Sequence, residues 1–162
     1  MAKYGSIMRL PDFEPYKIYA PVILRFGVCA VFLYFGINEM LRPKEFLIWL
    51  PSFTADLPIS QVLLVFLIGL FLIFFGVLLL LGVFMRVSAL MLAGHVAGVT
   101  ISLGATQIGA RDFGITLATL AVAVHGPDVF SLDKKVSLRA RIIIAAILAI
   151  VLLVIAVFQW PS

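Results

Sequence analysis

The chain of 162 residues is 64% hydrophobic and only 12% charged, against about half apolar and a quarter charged in soluble domains. A core of this size cannot bury so much apolar surface, so lipid must be the solvent and a soluble globular fold is excluded. Lysine and arginine outnumber the acids 12 to 8, a surplus that in such a chain bears on topology and lipid contact, not on nucleic acid.

Residues 1–17, MAKYGSIMRLPDFEPYK, lack the apolar stretch of a cleavable signal peptide. The first membrane helix is therefore expected to act as its own insertion signal. A spanning helix needs roughly 17–25 predominantly apolar residues, and the first such run covers residues 18–41. On it Arg25, Cys29, Phe32, Gly36 and Glu39 recur at steps of four, three, four and three. That spacing makes one stripe, which should face the bundle. Arg25 and Glu39 are roughly 21 Å apart along the axis, so each needs its own partner. Glu39 can meet Arg111, and Arg25 can meet Asp128 or Asp133. The alternatives are a headgroup position for Glu39 and an Arg25 guanidinium that snorkels to the interface. The only cysteine is Cys29, so an intramolecular disulfide and C-x-x-C redox chemistry are excluded.

The next stretch, RPKEFLIWLPSFTADLP, is too short to span and is broken by Pro43, Pro51 and Pro58. Phe46, Trp49, Leu50 and Phe53 predict a short amphipathic turn in the headgroup layer. The second span covers residues 61–85. Gly69 and Gly76 share one of its faces and Gly82 lies near its end, the pattern of close helix packing.

A third span runs from after Arg86 to about residue 106. It carries His95 between Gly94 and Gly98, with Ser102 on the same face. The fourth, residues 113–130, should be capped by Asp112 and broken or kinked at Gly126-Pro127. If it continues past Val124, His125 reaches a depth broadly like that of His95. Two such histidines can hold a b-type haem, but the pair alone is a weak signal. A neutral histidine bonded to a backbone carbonyl is the preferred reading, as is one lining a pocket for a polar headgroup such as a quinone ring. The fifth span, residues 142–160, has no internal charge and reads as a peripheral helix facing lipid or a partner. No spacing resembles a zinc, P-loop or nucleotide motif, so no metal site is expected.

Basic residues set the orientation. With the N-terminus inside, Lys3, Arg9, Lys17, Arg86, Lys134, Lys135, Arg139 and Arg141 are cytoplasmic, and only Arg42, Lys44 and Arg111 lie outside. Five crossings then place the C-terminus outside.

Three stretches carry a family resemblance: LRFGVCAVFLYFGINEMLRP, GVLLLLGVFMRVSALML and RDFGITLATLAVAVHGPDVFSLD. In that order they resemble the first, the second-to-third and the fourth helices of the DoxX family, over about residues 20–133. The motifs are Arg25, then Gly36 with Asn38 and Glu39, the Gly82 to Arg86 link, and the brackets Arg111-Asp112 and Ser131 to Asp133. The resemblance implies an all-α integral membrane fold: a four-helix bundle over residues 18–133, after a cytoplasmic segment 1–17. Residues 134–162, a basic loop and the fifth helix, lie outside the match and look added for docking to a larger assembly.

The family takes its name from a thiosulfate:quinone oxidoreductase, and other relatives act as chaperones or cargo receptors. Here Glu39 stands where many members have lysine. The second helix lacks the acid often found there, and there is no cysteine pair. The expected function is a small subunit of a quinone-linked respiratory or sulfur-oxidising complex, not catalytic alone, contributing a polar pocket or docking surface. The alternative is a non-enzymatic scaffold, assembly factor or chaperone-like protein. No catalytic residue is assigned. Arg25, Glu39, His95, Arg111 and His125 are the candidate cofactor-binding positions. Quinone is the candidate cofactor, and lipid with a larger complex or further copies of the chain are the expected partners.

Overall fold

The computed structural model describes residues 13–159, with the side chain of Phe53 outside the described set. Lys3, Arg9 and Trp160, used above for topology and helix length, also lie outside the described residues. Five helices form: α1 Ala20–Leu41, α2 Gln61–Leu81, α3 Met85–Leu103, α4 Gln107–His125 and α5 Leu138–Phe158. All five are long and apolar enough to cross a membrane. No strand occurs among the described residues.

Glycines end three of the helices and shift the predicted boundaries. Gly82 takes a left-handed φ of 68°. Gly82 N–H donates to the Leu79 carbonyl (3.0 Å) and Val83 N–H to that of Leu78 (2.9 Å). This is the Schellman arrangement, which satisfies last-turn carbonyls, so α2 stops at Leu81 rather than at residue 85. Gly104 ends α3 (φ 59°), and Gly126 ends α4 (φ 74°) at the break expected from Gly126-Pro127. The start of α4 is a correction. Thr106, not Asp112, is its cap, its hydroxyl accepting from Gly109 N–H at 3.0 Å. Asp112 lies inside the helix. Ser137 caps α5 in the same way, accepting from Ala140 N–H, so that helix begins four residues before residue 142.

The helices pack as two hairpins, α1–α2 and α3–α4. In the first, Gly36 faces Gly69 closely: a Cβ on Gly69 would lie 2.8 Å from the Gly36 carbonyl oxygen. Across the hairpins, Cys29 and Phe32 of α1, Leu72 and Leu79 of α2, Ala89 and Leu92 of α3 and Val122 of α4 form the main core. The predicted stripe does face inward: Arg25, Cys29, Phe32 and Gly36 are buried and Glu39 half-buried. Helix α5 is peripheral, burying only Leu152 and Ala156, in a cluster with Phe66 and Ile73 of α2. Between α1 and α2 the chain makes two 3-10 turns, Pro43–Trp49 and Ser52–Asp56.

Candidate functional site

Polar side chains gather at the two ends of the bundle and behave differently at each. At the end where α1 starts and α4 finishes, the Arg25 side chain is 1% exposed and meets Asp128 in a fork. Its Nε donates to Oδ2 at 2.7 Å and its Nη2 to Oδ1 at 3.2 Å. Nη1 donates to the Leu79 carbonyl at 3.0 Å and also to that of Leu80. These carbonyls lie at the C-terminus of α2, where backbone acceptors are left over and the helix dipole favours a cation. Arg25 is therefore paired with Asp128 rather than Asp133, and it does not snorkel.

Asp133 has a different task. Its carboxylate accepts from Phe84 N–H (2.9 Å) and Met85 N–H (2.8 Å), and from Arg141 Nη1 at 3.0 Å. Phe84 precedes α3 with a left-handed φ of 48°, an uncommon state for a non-glycine residue. The carboxylate thus caps α3 from a distant loop. Ser131 Oγ (2.8 Å) and Asp133 N–H (2.9 Å) both donate to the Gly82 carbonyl. The 131–133 loop clasps the α2–α3 turn, and this end is a structural lock.

At the opposite end the hairpins line a half-open cavity of about 510 Å³. Glu39, His95, Arg111 and Asp112 supply its polar lining, and Phe32, Phe35, Leu72 and Ile115 are among its apolar walls. The predicted amphipathic turn is folded over it: Phe46, Trp49, Leu50 and Thr54 line the cavity from the 42–57 segment. Thr54 is fixed by donating to the Pro51 carbonyl at 2.7 Å.

The cavity groups differ in how far they are satisfied. Arg111 Nε donates to Asp112 Oδ1 at 2.8 Å, and its guanidinium carbon lies 5.6 Å from the Phe35 ring centre. The expected Glu39–Arg111 pair is therefore not formed, because the adjacent carboxylate takes the guanidinium. Glu39 Oε2 is buried and has no hydrogen-bond partner. His95 touches the Phe71 ring (centroids 5.7 Å apart) and makes no hydrogen bond among the described residues, so the expected bond to a backbone carbonyl is absent. Ser102 lines the cavity too, but its hydroxyl is turned to the Gly98 carbonyl at 3.0 Å.

The five candidate positions thus divide. Glu39, His95 and Arg111 line one cavity, while Arg25 belongs to the lock. His125, the last residue of α4, is exposed and lines no part of the cavity. The matched-depth expectation for the two histidines is corrected by the α4 boundaries. With α3 and α4 joined at residues 104–106, His95 lies opposite residue 115, and His125 is roughly 15 Å further along the axis. Sequence reasoning missed the roof as part of the site. Its signal was the run of aromatic residues between prolines, read only as a headgroup anchor.

The cavity thus combines aromatic and aliphatic walls with an acid and an imidazole that make no hydrogen bond to the described residues. The family comparison covers most of the residues that build it: the DoxX family model matches residues 20–105, from the start of α1 to just past α3. The chain belongs to the DoxX family. This DoxX-family protein is a multi-pass, all-α membrane protein, and lipid surrounds it. The match includes Arg25, Glu39 and His95 and stops short of Arg111, Asp128, Ser131 and Asp133, so it is shorter than the 20–133 resemblance. No curated protein and no solved structure matches this DoxX-family chain.

Proposed function

We propose that this protein is a small, non-catalytic subunit of a quinone-linked oxidoreductase complex, respiratory or sulfur-oxidising, and that its cavity holds the quinone ring. The observation that carries this reading is that Glu39, one oxygen of which has no hydrogen-bond partner, and His95 line the same aromatic-walled space. About 510 Å³ falls within the roughly 300–1,000 Å³ of small-molecule sites, where apolar walls surround a few polar groups. Phe35, Phe46 and Trp49 would flank the ring, and Glu39, His95 and Arg111 would face its oxygens. A bound quinone supplies two-electron redox chemistry; the residues here bind and orient it and screen it from water. The distribution of basic residues supports a cytoplasmic N-terminus and an external C-terminus, which sets the cavity at the outer face. Purification from native membranes in mild detergent tests the reading. Co-purifying redox subunits and extractable quinone are expected, and the absence of both would sink it.

The second reading, a scaffold or assembly factor, is favoured by the Arg25–Asp128 fork, in which each of the three guanidinium nitrogens is bonded to a structural acceptor. On that reading Arg25→Ala lowers the abundance of the complex but leaves turnover per assembled complex unchanged.

A further inference from the structure

A second hollow, of about 650 Å³, opens at the same end of the bundle and shares no lining residue with the cavity. Three parts of the chain meet there: the end of α1 with the turn after it, the start of α2, and Gln159 just past α5. Helices that cross a bilayer end in its headgroup layer, so the hollow lies at headgroup depth. Met40 and Leu63 give it apolar lining. Both also pack into the cluster with Leu152 and Ala156 that holds α5.

Basic residues are scarce at this end. Among the described residues only Arg42, Lys44 and Arg111 are found here. Arg111 belongs to the cavity, and the hollow gathers the other two. Topology does not call for them, because each cation on the cation-poor side weakens the bias that orients the chain. Nor are they spent within the chain. Arg42 Nη1 lies 3.9 Å from Glu45 Oε1, too far for a hydrogen bond. The Lys44 ammonium has no partner among the described residues. Between the two cations Pro43 is buried and starts a 3-10 turn, so they flank a point where the chain is stiff. The Ser60 hydroxyl, also in the lining, is not used to cap α2.

We propose that this hollow is the binding site of one anionic phospholipid, which seals α5 against the α1–α2 hairpin. Its headgroup phosphate sits between Arg42 and Lys44, and its glycerol end rests against Met40 and Leu63. A guanidinium, an ammonium and a hydroxyl all donate, which suits phosphate oxygens that only accept. Arg42 and Lys44 against Glu45 leave one positive charge in excess, the complement of a single phosphodiester. A free inorganic phosphate would meet the same donors but leave the apolar lining uncovered, and Glu45 repels a second negative charge. The site is independent of what the cavity holds.

The test is native mass spectrometry of the whole protein released from detergent micelles. It is titrated with phosphatidylglycerol and, separately, with phosphatidylcholine carrying the same chains. The wild type is expected to retain one phosphatidylglycerol about fivefold more tightly than phosphatidylcholine, the scale of one net charge at a headgroup. Lys44→Gln removes the excess charge and should bring the ratio towards one. Arg42→Gln combined with Lys44→Gln should take it below one. Both side chains are exposed, so these variants should melt with the wild type in lipid-free detergent. Lys134→Gln with Lys135→Gln, at the opposite end of the bundle, should leave the preference intact. Equal affinities in the wild type, or a preference that survives without Arg42 and Lys44, would overturn the proposal. So would a preference lost only in the Lys134 and Lys135 variant. Inorganic phosphate in excess should not displace the lipid. Displacement would identify a soluble anion as the occupant and overturn the lipid assignment.

Discussion

Arg25 and Asp128, 103 residues apart in the chain, close on each other in a two-pronged fork with side chains 1% and 0% exposed. Removing one partner leaves the other charge buried and uncompensated, which costs about 3–5 kcal/mol. Arg25→Met and Asp128→Leu should each lose that much stability in detergent. Arg25→Met combined with Asp128→Leu should recover most of it, since replacing both charges with apolar volume is often neutral or better. Denaturation of the four proteins completes the cycle, and additive losses would show that the pair does not act as a unit.

The glycines of α2 and α3 should respond in opposite directions. A Cβ at Gly69 would meet the Gly36 carbonyl oxygen at 2.8 Å and Met40 N at 2.9 Å. Both are backbone atoms of α1, so the helices must separate, at about 1–3 kcal/mol for overpacking. At Gly94 a Cβ would find nothing within 4 Å, and alanine should add up to about 1 kcal/mol through helix propensity. Thermal unfolding of Gly69→Ala and Gly94→Ala should therefore bracket the wild type. A more stable Gly69→Ala would refute the close-approach reading.

Asp133 should matter to α3 more than to its own loop. Asp133→Ala removes the acceptor for Phe84 and Met85 N–H and the anchor of Arg141. Loss of a helix N-cap costs about 0.5–2 kcal/mol. Asp133→Asn retains one acceptor and should lose less. Hydrogen exchange at residues 85–88 is the direct measurement: it should accelerate in the alanine variant, and unchanged protection would contradict the capping role.

The bilayer makes some of this fold plain in sequence and hides the rest. Apolar runs locate all five helices because a span has to be long and nearly free of charge. The stripe from Arg25 to Glu39 faces inward because a charge is costly in lipid. Asp128 was one of two partners that topology allowed for Arg25. Helix boundaries are less legible. The pair Arg111-Asp112 looked like an edge, yet α4 begins earlier at Gln107, behind its Thr106 cap, and Arg111, half exposed, sits within the helix. Glu39 and Arg111 are on the correct end to meet, but a neighbour one residue away outcompetes a partner on another helix. The cavity itself depends on how the segment between α1 and α2 folds back, and its prolines predict turns without predicting their direction.

The clasp at Gly82 also bears on the order in which the protein can be made. Ser131 and Asp133, whose side chains secure the α2–α3 turn, come 48 or 49 residues after the groups those side chains bond there, and the carboxylate that neutralises Arg25 comes 103 residues later. A nascent chain that has delivered its first three helices still carries an uncompensated guanidinium and an uncapped α3. Only when the segment after α4 emerges from the ribosome can both defects be repaired together. The stretch from Asp128 to Asp133 is thus the fastener of the bundle, and until it arrives the inserted helices have reason to be held by the insertion machinery.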